Sequence, residues 1–346
     1  MRRGVLIAAT FAFLLIAGPA WACGGLVAPG GAVRLLRTTT LSAYVDGVEH
    51  YVTSFGFAGA KGQFGSIVPL PGVPTDVEKG GRWTLQRLLQ EVQPPAVALA
   101  DAEAAAPQAA RVDVLQRHRV GALDILILKG GGADVAAWAG EHGFALSADA
   151  PEVLEFYSRR SPIFAAARFD AERAARRGLR EGDGTPIHFT IPTDDPWIPL
   201  RILGLAKPAD EVVEADLFML TEAEPATLPV AVPGFLADVA VPDGLRLARS
   251  EPASEELLAD LRSDRGMGWL PATGMWLTYI RLSEEAGELT YDLATDVTGG
   301  SPSPVDAGFE VPAPAGTSFP VWPVLVGLAA LLGGSAIAGR RVRVPA

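Results

Sequence analysis

Residues 43–52 read Ala-Tyr-Val-Asp-Gly-Val-Glu-His-Tyr-Val, and this stretch predicts a β-hairpin. Runs rich in valine and tyrosine flank the central Asp46-Gly47 pair. Asp-Gly suits a type I′ turn, because both central residues of that turn adopt positive φ values. We therefore expect two antiparallel strands within residues 33–57, and a fold that is built around a sheet.

Further apolar runs on the C-terminal side of the hairpin predict more strands, separated by proline- and glycine-containing loops. The predicted strands are residues 63–70, 112–115, 123–128, 163–169, 187–191, 200–205, 213–220 and 275–282. The run 123–128 is the most apolar of them, so we expect it at the centre of a sheet.

Helical spacing of apolar residues predicts a smaller number of helices. They are residues 83–92, a stretch through Val135 and Trp138, a helix that begins at residues 147–151, and residues 255–261. The predicted class is α+β, with a mixed or mainly antiparallel sheet, a few short helices and one C-terminal transmembrane helix.

The first 22 residues have the layout of a signal peptide. Arg2 and Arg3 precede an apolar stretch at residues 4–17, and Ala20-Trp21-Ala22 supplies the small residues of a cleavage point. We therefore expect the mature chain to begin at Cys23 outside the cytoplasm.

Residues 319–339 form a second apolar segment, long enough to cross a bilayer. Arginines follow it directly, which predicts a cytoplasmic tail at residues 340–346. The prediction is a single-pass protein of the cell membrane whose N-terminal domain is extracytoplasmic. That domain spans residues 23–298, as one body or two subdomains, and a proline-rich linker spans residues 299–318.

The predicted exported part is strongly acidic. Five of the 29 Lys and Arg residues lie in the two flanking segments, which leaves 24 against 40 Asp and Glu. This charge argues against nucleic acid as a partner and against a basic membrane-binding face. Contact with the membrane should therefore come through the C-terminal helix.

Cys23 is the only cysteine of the chain, so no disulfide can form within it. Three states stay open for this thiol. It is lipidated, free, or paired with another chain. The tripeptide before it fits ordinary signal peptidase better than it fits a lipobox, which favours the last two states.

The sequence predicts no catalytic, cofactor-binding or metal-binding residue. The histidines His50, His118, His142 and His188 lack the spacing of metal ligands, and no serine-nucleophile motif is present. We therefore expect a non-catalytic domain that binds a protein or an envelope polymer. The alternative is an extracytoplasmic hydrolase that uses acidic residues such as Asp194 or Asp195.

Several short motifs, in this order, resemble a domain-of-unknown-function family of exported bacterial proteins. They are Cys-Gly-Gly at 23–25, Phe-Gly-Ser-Ile-Val-Pro-Leu-Pro-Gly-Val-Pro at 64–74, residues 138–150, Pro-Trp-Ile-Pro-Leu-Arg at 196–201 and Leu-Thr-Tyr-Ile-Arg at 277–281. The resemblance implies a Cys-Gly-Gly mature start and a C-terminal membrane helix. It brings no established activity, cofactor or active site.

Overall fold

Strands dominate the computed structural model, which describes residues 25–27, 38–55, 65–81, 83–92, 113–142, 144, 146–177, 185–234 and 243–309. Its strands are β1 (Gly25–Val27), β2 (Thr38–Val45), β3 (Val48–Phe55), β4 (Gly65–Leu70), β5 (Asp76–Lys79), β6 (Asp113–Val120), β7 (Leu123–Lys129), β8 (Ile163–Phe169), β9 (Thr185–Pro192), β10 (Trp197–Ile198), β11 (Val212–Thr221), β12 (Ala226–Leu228), β13 (Val232–Pro233), β14 (Gly244–Pro252), β15 (Trp276–Glu285) and β16 (Leu293–Asp296).

The helices are short and connect or cover these strands. They are α1 (Trp83–Val92), α2 (Gly132–Glu141), α3 (Ala150–Ser158), α4 (Ala171–Arg176) and α5 (Glu255–Ser263), with a 3₁₀ helix at Arg201–Gly204. The helices predicted at 83–92, through Val135 and Trp138, from residues 147–151 and at 255–261 are confirmed as α1, α2, α3 and α5.

The described strands form two large sheets and a small one. The eight-stranded sheet has the order β13-β14-β15-β11-β2-β3-β9-β5, with parallel pairing at β11–β2 and β13–β14 and antiparallel pairing elsewhere. The five-stranded sheet, β1-β4-β8-β7-β6, is antiparallel, as is the small sheet β10-β16-β12. The predicted α+β class with mainly antiparallel, mixed sheets is confirmed.

The predicted hairpin lies in the middle of the eight-stranded sheet as β2 and β3. Val45 pairs with Val48 across the turn, and both turn residues have positive φ, at 51° for Asp46 and 76° for Gly47. These are the signs that a type I′ turn requires. The strand predicted at 123–128 is likewise confirmed as β7, which has a neighbour on each side.

Side chains of the eight-stranded sheet divide between two apolar clusters, because successive residues of a strand point to opposite faces. On one face, here called the helix face, Val52 and Leu220 join α1 and α5. On the other, the sheet face, Tyr51 and Met219 join a cluster that also contains the five-stranded sheet, α2 and α3.

The carboxylate of Asp292 holds several separate segments together in the interior. Its Oδ1 accepts hydrogen bonds from the Tyr157 hydroxyl at 2.8 Å, the Leu200 amide at 2.6 Å and the Arg201 amide at 3.0 Å. Its Oδ2 accepts from the guanidinium of Arg160, and both of these charged side chains are almost fully buried. The charge is therefore buried but fully hydrogen-bonded.

The strand predicted at 200–205 is wrong, because this segment forms the 3₁₀ helix Arg201–Gly204. The amides of Leu200 and Arg201 both reach Asp292, and the next amide, that of Ile202, donates to the Tyr157 hydroxyl at 2.9 Å. Successive amides of a strand point in opposite directions, so three in a row reach two adjacent acceptors only when the backbone curves.

Part of the predicted proline-rich linker packs against the folded domain. Ala307 is fully buried, and its carbonyl accepts the amide of Asp292 at 3.0 Å. The carbonyl of Asp306 accepts from Arg160, while a Cβ on Gly308 would overlap the Phe156 ring. Residues 310–318 lie outside the described part of the chain.

No helix in the described ranges is long and apolar enough to cross a membrane. The predicted signal peptide, Cys23 and the predicted membrane segment at 319–339 all lie outside those ranges.

Glu49 is a fully buried carboxyl on the sheet face of β3. Its Oε1 accepts a hydrogen bond from Ser42 at 2.6 Å, and its Oε2 has no hydrogen-bond partner in the described structure. Burial raises the pKa of Glu49 to about 8, although the Ser42 hydrogen bond opposes this rise. The folded protein therefore holds a proton here at neutral pH that the unfolded chain releases.

Replacing Glu49 with Gln should stabilise the protein in a pH-dependent way. Because the folded pKa is raised, Glu49 lowers the free energy of unfolding progressively as pH rises from about 5 to about 8. The advantage of Glu49→Gln over the natural protein should grow across that window, to the order of several kcal/mol. Urea unfolding at a series of pH values measures it. The exposed Glu256→Gln serves as the matched control, and a pH-independent advantage of Glu49→Gln would contradict the assignment.

Candidate functional site

Two histidines meet on the helix face of the eight-stranded sheet. His188 of β9 lies opposite Val52 of β3 and opposite Glu78 of β5, and His50 lies two residues before Val52. His50 Nδ1 and His188 Nε2 are 2.9 Å apart, and His188 Nδ1 is 3.3 Å from Glu78 Oε1. The three side chains thus form one hydrogen-bonded row across three neighbouring strands.

A loop after α5, residues 264–270, lies over this row and is called the cover loop below. The indole of Trp269 stacks on the His50 ring, with centroids 3.5 Å apart and planes inclined by 4°. Met267 and Leu270 are buried in the same cluster as α1 and α5. Gly266, which has a φ of 79°, runs close to the Glu78 carboxylate.

The start of the cover loop is fixed to the first turn of α1. Asp264 Oδ2 accepts from the backbone amide of Thr84 at 2.7 Å and from its hydroxyl at 2.8 Å. A carboxylate at a helix N-terminus satisfies an amide that has no partner within the helix. A Cβ on Gly81 would come within 1.9 Å of this carboxyl group, so only glycine leaves room for the contact.

Burial keeps the two histidines of the row neutral at pH 7. Burial, and then the neighbouring His188, lower the pKa of His50 to about 3. Burial also lowers the pKa of His188, against the opposing effects of Glu78 and Asp76. If His188 Nδ1 donates to Glu78, its Nε2 is unprotonated and accepts from His50 Nδ1.

This row can hold and relay a proton, but the described residues supply no metal centre. No cluster of three or more His, Cys, Asp or Glu side chains in the described ranges has the geometry to hold a metal ion. The two buried histidines instead form a polar pair beneath an aromatic cover, and Glu78, whose side chain is 44% exposed, lies at the solvent end of the row.

A second candidate is a group of arginines at the end of the five-stranded sheet, called the basic edge below. It consists of Arg117 and Arg119 of β6, Arg168 of β8 and Arg173 of α4. Asp124 of β7 pairs with Arg119 on one side and with Arg168 on the other in the sheet register.

Hydrogen bonds fix two of the four arginines. Arg119 Nε donates to Asp124 Oδ1 at 3.0 Å, and Arg173 donates to both oxygens of Asp124, at 3.3 and 3.0 Å. Burial alone would raise the pKa of Asp124, but the bonds from Arg173 and Arg119 lower it. Asp170 adds a second carboxylate, 2.6 Å from Arg173, so positive charge remains in excess here.

The strand that carries Arg117 is the last one of its sheet in the described structure. After the exposed Asp113 at its start come Val114 and Leu115, which are exposed apolar side chains, and a bulge interrupts the pairing with β7 between Val114 and Gln116. The Gln116 side chain donates to the Pro74 carbonyl, which brings the exposed Val73 to the same end of β6. Exposed apolar side chains and then exposed arginines therefore follow one another along this sheet edge.

The structure places the sequence-derived candidates apart from both sites. Asp194 and Asp195 lie in an exposed turn before β10, where the Asp195 amide donates to Thr193 Oγ1. Burial and then the charges of neighbouring acids, Asp306 foremost, raise the pKa of Asp195. An exposed turn lacks the concave enclosure of a catalytic carboxyl pair.

The remaining histidines are also separate from the buried row. His118 lies on β6 beside Gln116, and His142 caps α2 while stacking on Trp138. The contact of His50 with His188 was missed from the sequence. Each residue was placed in a strand, but only the order β3-β9-β5 brings them together.

Comparisons with known proteins give a family and distant structural similarities. The chain is similar to a chain of the crystal structure of baculovirus P35, with 9% identity over 75% of this chain and 95% of that one and a TM-score of 0.37. It is also similar to a chain of the crystal structure of the caspase-8/P35 complex, with 7% identity over 74% of this chain and 92% of that one and a TM-score of 0.34. No curated protein matches the chain. A family model described as an uncharacterized protein conserved in bacteria (DUF2330) matches residues 18–228, so the chain belongs to this family of bacterial proteins.

Proposed function

We propose that the protein is an exported, membrane-tethered domain that binds an acidic, extended segment of a partner protein at the basic edge and catalyses no reaction. The observation that carries the proposal is β6 itself. This strand combines an edge position, the exposed apolar residues Val114 and Leu115, and the exposed Arg117 in a chain that is acidic overall.

Each of these features suits an incoming strand. An extended peptide gains main-chain hydrogen bonds when it adds to a sheet edge, and its alternate side chains provide the specificity. Acidic residues in the peptide would meet Arg117 and Arg119, and apolar residues would meet Leu115. The acidic surface of the rest of the chain would repel such a peptide elsewhere, which favours binding in one place.

The buried charged groups support a binding function over a catalytic one. Asp292 is occupied by Tyr157, Arg160 and two backbone amides, and His50 is covered by Trp269. These groups build the interior of the protein. The basic edge, by contrast, presents exposed arginines and exposed apolar side chains on one strand, where a partner can reach them.

The location is proposed from the two apolar segments that flank the domain. We infer a signal peptide at residues 1–22, a domain from Cys23, and a membrane helix at residues 319–339 with the tail 340–346 in the cytoplasm. Because residues 303–309 pack on the domain, we infer that the tether begins after Phe309.

Deleting residues 319–346 should release the protein from the membrane. Cell fractionation measures this, with the full chain as control, and protease added to intact spheroplasts should cut the full chain after residue 309. If the shortened protein still sediments with membranes and takes up labelled palmitate, Cys23 is lipidated and the helix is not the anchor.

Reversing the charge of Arg117 should weaken binding of an acidic strand. The probe is a short fluorescein-labelled peptide of alternating Glu and Val, and fluorescence anisotropy gives its dissociation constant. Arg117→Glu should raise that constant by about tenfold, because it removes one attraction and adds one repulsion. The exposed Arg262→Glu on α5 makes the same change of charge away from β6 and should leave the constant unchanged.

Two results would contradict this assignment. One is an equal effect of the two substitutions, which would point to net charge and not to the edge. The other is tight binding of an anionic polysaccharide that the Glu-Val peptide fails to displace, which would make an envelope polymer the partner.

A further inference from the structure

The contact between His50 and His188 accepts a limited number of protons. One nitrogen of the 2.9 Å pair must keep its lone pair for a hydrogen bond to exist. A first added proton can be accommodated on His188, beside the Glu78 carboxylate, once the proton of His50 moves to its Nε2 and His50 Nδ1 accepts the hydrogen bond from His188. A second added proton would place two N–H groups, and two positive charges, against each other.

The surroundings of the pair offer little compensation for such charge. The groups that act on it electrostatically are Glu78 and Asp76 of β5, together with the partner histidine. On the cover loop, the carboxylate of Asp264 is bound to Thr84, and Arg265 is exposed. The rest of the cover is Trp269 with the buried Met267 and Leu270.

The indole face of Trp269 would attract a cation, but this attraction is outweighed. Burial and the neighbouring His188 hold the pKa of His50 at about 3. The net preference of the closed arrangement is thus for neutral imidazoles, in spite of the cation–π contact.

The cover loop is the part of this arrangement that can move most easily. His50 and His188 belong to β3 and β9, which pair over the full length of both strands. The cover loop instead belongs to the connection 264–275 between α5 and β15, which contains several glycines. A side chain at Gly268 or Gly274 would meet nothing within 4 Å, and Gly274 has a φ of 80°. Rotation at these positions needs no rearrangement of the sheet.

We propose that the histidine row and the cover loop form an acid-sensitive latch, in which the loop stays seated on neutral imidazoles and lifts when the pair is protonated. Lifting would uncover His50 and the apolar residues beneath Met267 and Leu270. An exported domain would thereby expose an additional apolar surface in an acidified environment.

The sign of the pH effect follows from the lowered pKa values. Both histidines have folded pKa values below the ordinary value of 6.5. The open state therefore binds protons more readily than the closed state. The stability of the closed latch is complete above about pH 6.5, and it is lost as pH falls from there toward the pKa of about 3 of His50.

Hydrogen–deuterium exchange of the full chain in detergent tests the proposal. After correction for the intrinsic exchange rate, protection of the amides in residues 264–275 should fall by at least about tenfold between pH 7.5 and pH 5. Protection of β11, at the centre of the sheet, should not change. If the two segments lose protection together, the whole domain opens and the latch is refuted.

A double substitution separates the histidine pair from other titrating groups. His50→Asn with His188→Gln keeps amide groups near the positions of the bonding nitrogens but cannot take up a proton in this range. In this variant the amides of the cover loop should be equally protected from exchange at pH 7.5 and at pH 5. His118→Gln, on β6, should retain the full pH response of the natural protein.

The natural protein alone can overturn the proposal if the double variant fails to fold. A cover loop that is equally protected at pH 7.5 and pH 5 contradicts the latch. So does a pH response that survives in a folded double variant, because the proton would then be taken up elsewhere.

Discussion

The buried carboxylate of Asp292 is the constraint on which much of the domain depends. This side chain accepts hydrogen bonds from the hydroxyl of Tyr157, from two backbone amides and from the guanidinium of Arg160. The guanidinium also lies over the Trp197 ring, 4.7 Å from its centroid. Asp292 thereby joins α3, the 3₁₀ helix and the segment after β15 into one unit. Loss of one partner of a buried ion pair leaves an uncompensated charge, at a cost of about 3–5 kcal/mol.

The same residue also ties residues 306 and 307 to the rest of the domain. The Asp292 amide binds the Ala307 carbonyl, and Arg160 reaches the carbonyl of Asp306. Residues 303–309 belong to a stretch rich in proline and glycine. They are ordered because the carbonyls of Asp306 and Ala307 accept hydrogen bonds from Arg160 and from the Asp292 amide. Composition alone predicts a linker for this stretch, since it has few apolar residues with which to form a core.

Elements that depend on local chemistry could be predicted from the sequence. Asp46-Gly47 supplies the positive φ values of its turn, and Leu85 and Leu88 mark the buried face of α1. The 3₁₀ helix at Arg201–Gly204 was mispredicted because its shape is set by Asp292, about ninety residues away. The apolar residues there predict burial correctly, but they predict an extended backbone conformation where the chain forms a 3₁₀ helix.

The candidate sites also depend on contacts between segments that are distant in the sequence. The arrangement of the arginines around Asp124 depends on the order β8-β7-β6, which no single segment of the sequence shows. The pairing of His50 with His188 depends on the order β3-β9-β5, and its cover comes from Trp269 near the other end of the chain. Pairing between distant strands leaves no local signature in either sequence segment.

Two kinds of polar group have different roles in this domain. Asp292, Glu49 and the pair of His50 and His188 lie in the interior, where they shape the fold and its response to pH. The basic edge lies at the surface, where it is available to a partner. Recognition should therefore occur along β6 and not on the layer formed by α1 and α5.

Site-specific photocrosslinking in intact bacteria tests this claim most directly. A photoreactive amino acid at Leu115 of β6 is compared with one at the exposed Gln90 of α1. The account predicts that light joins a partner protein to the chain from Leu115 and not from Gln90. Adducts of equal yield from both positions, or from Gln90 alone, would contradict it.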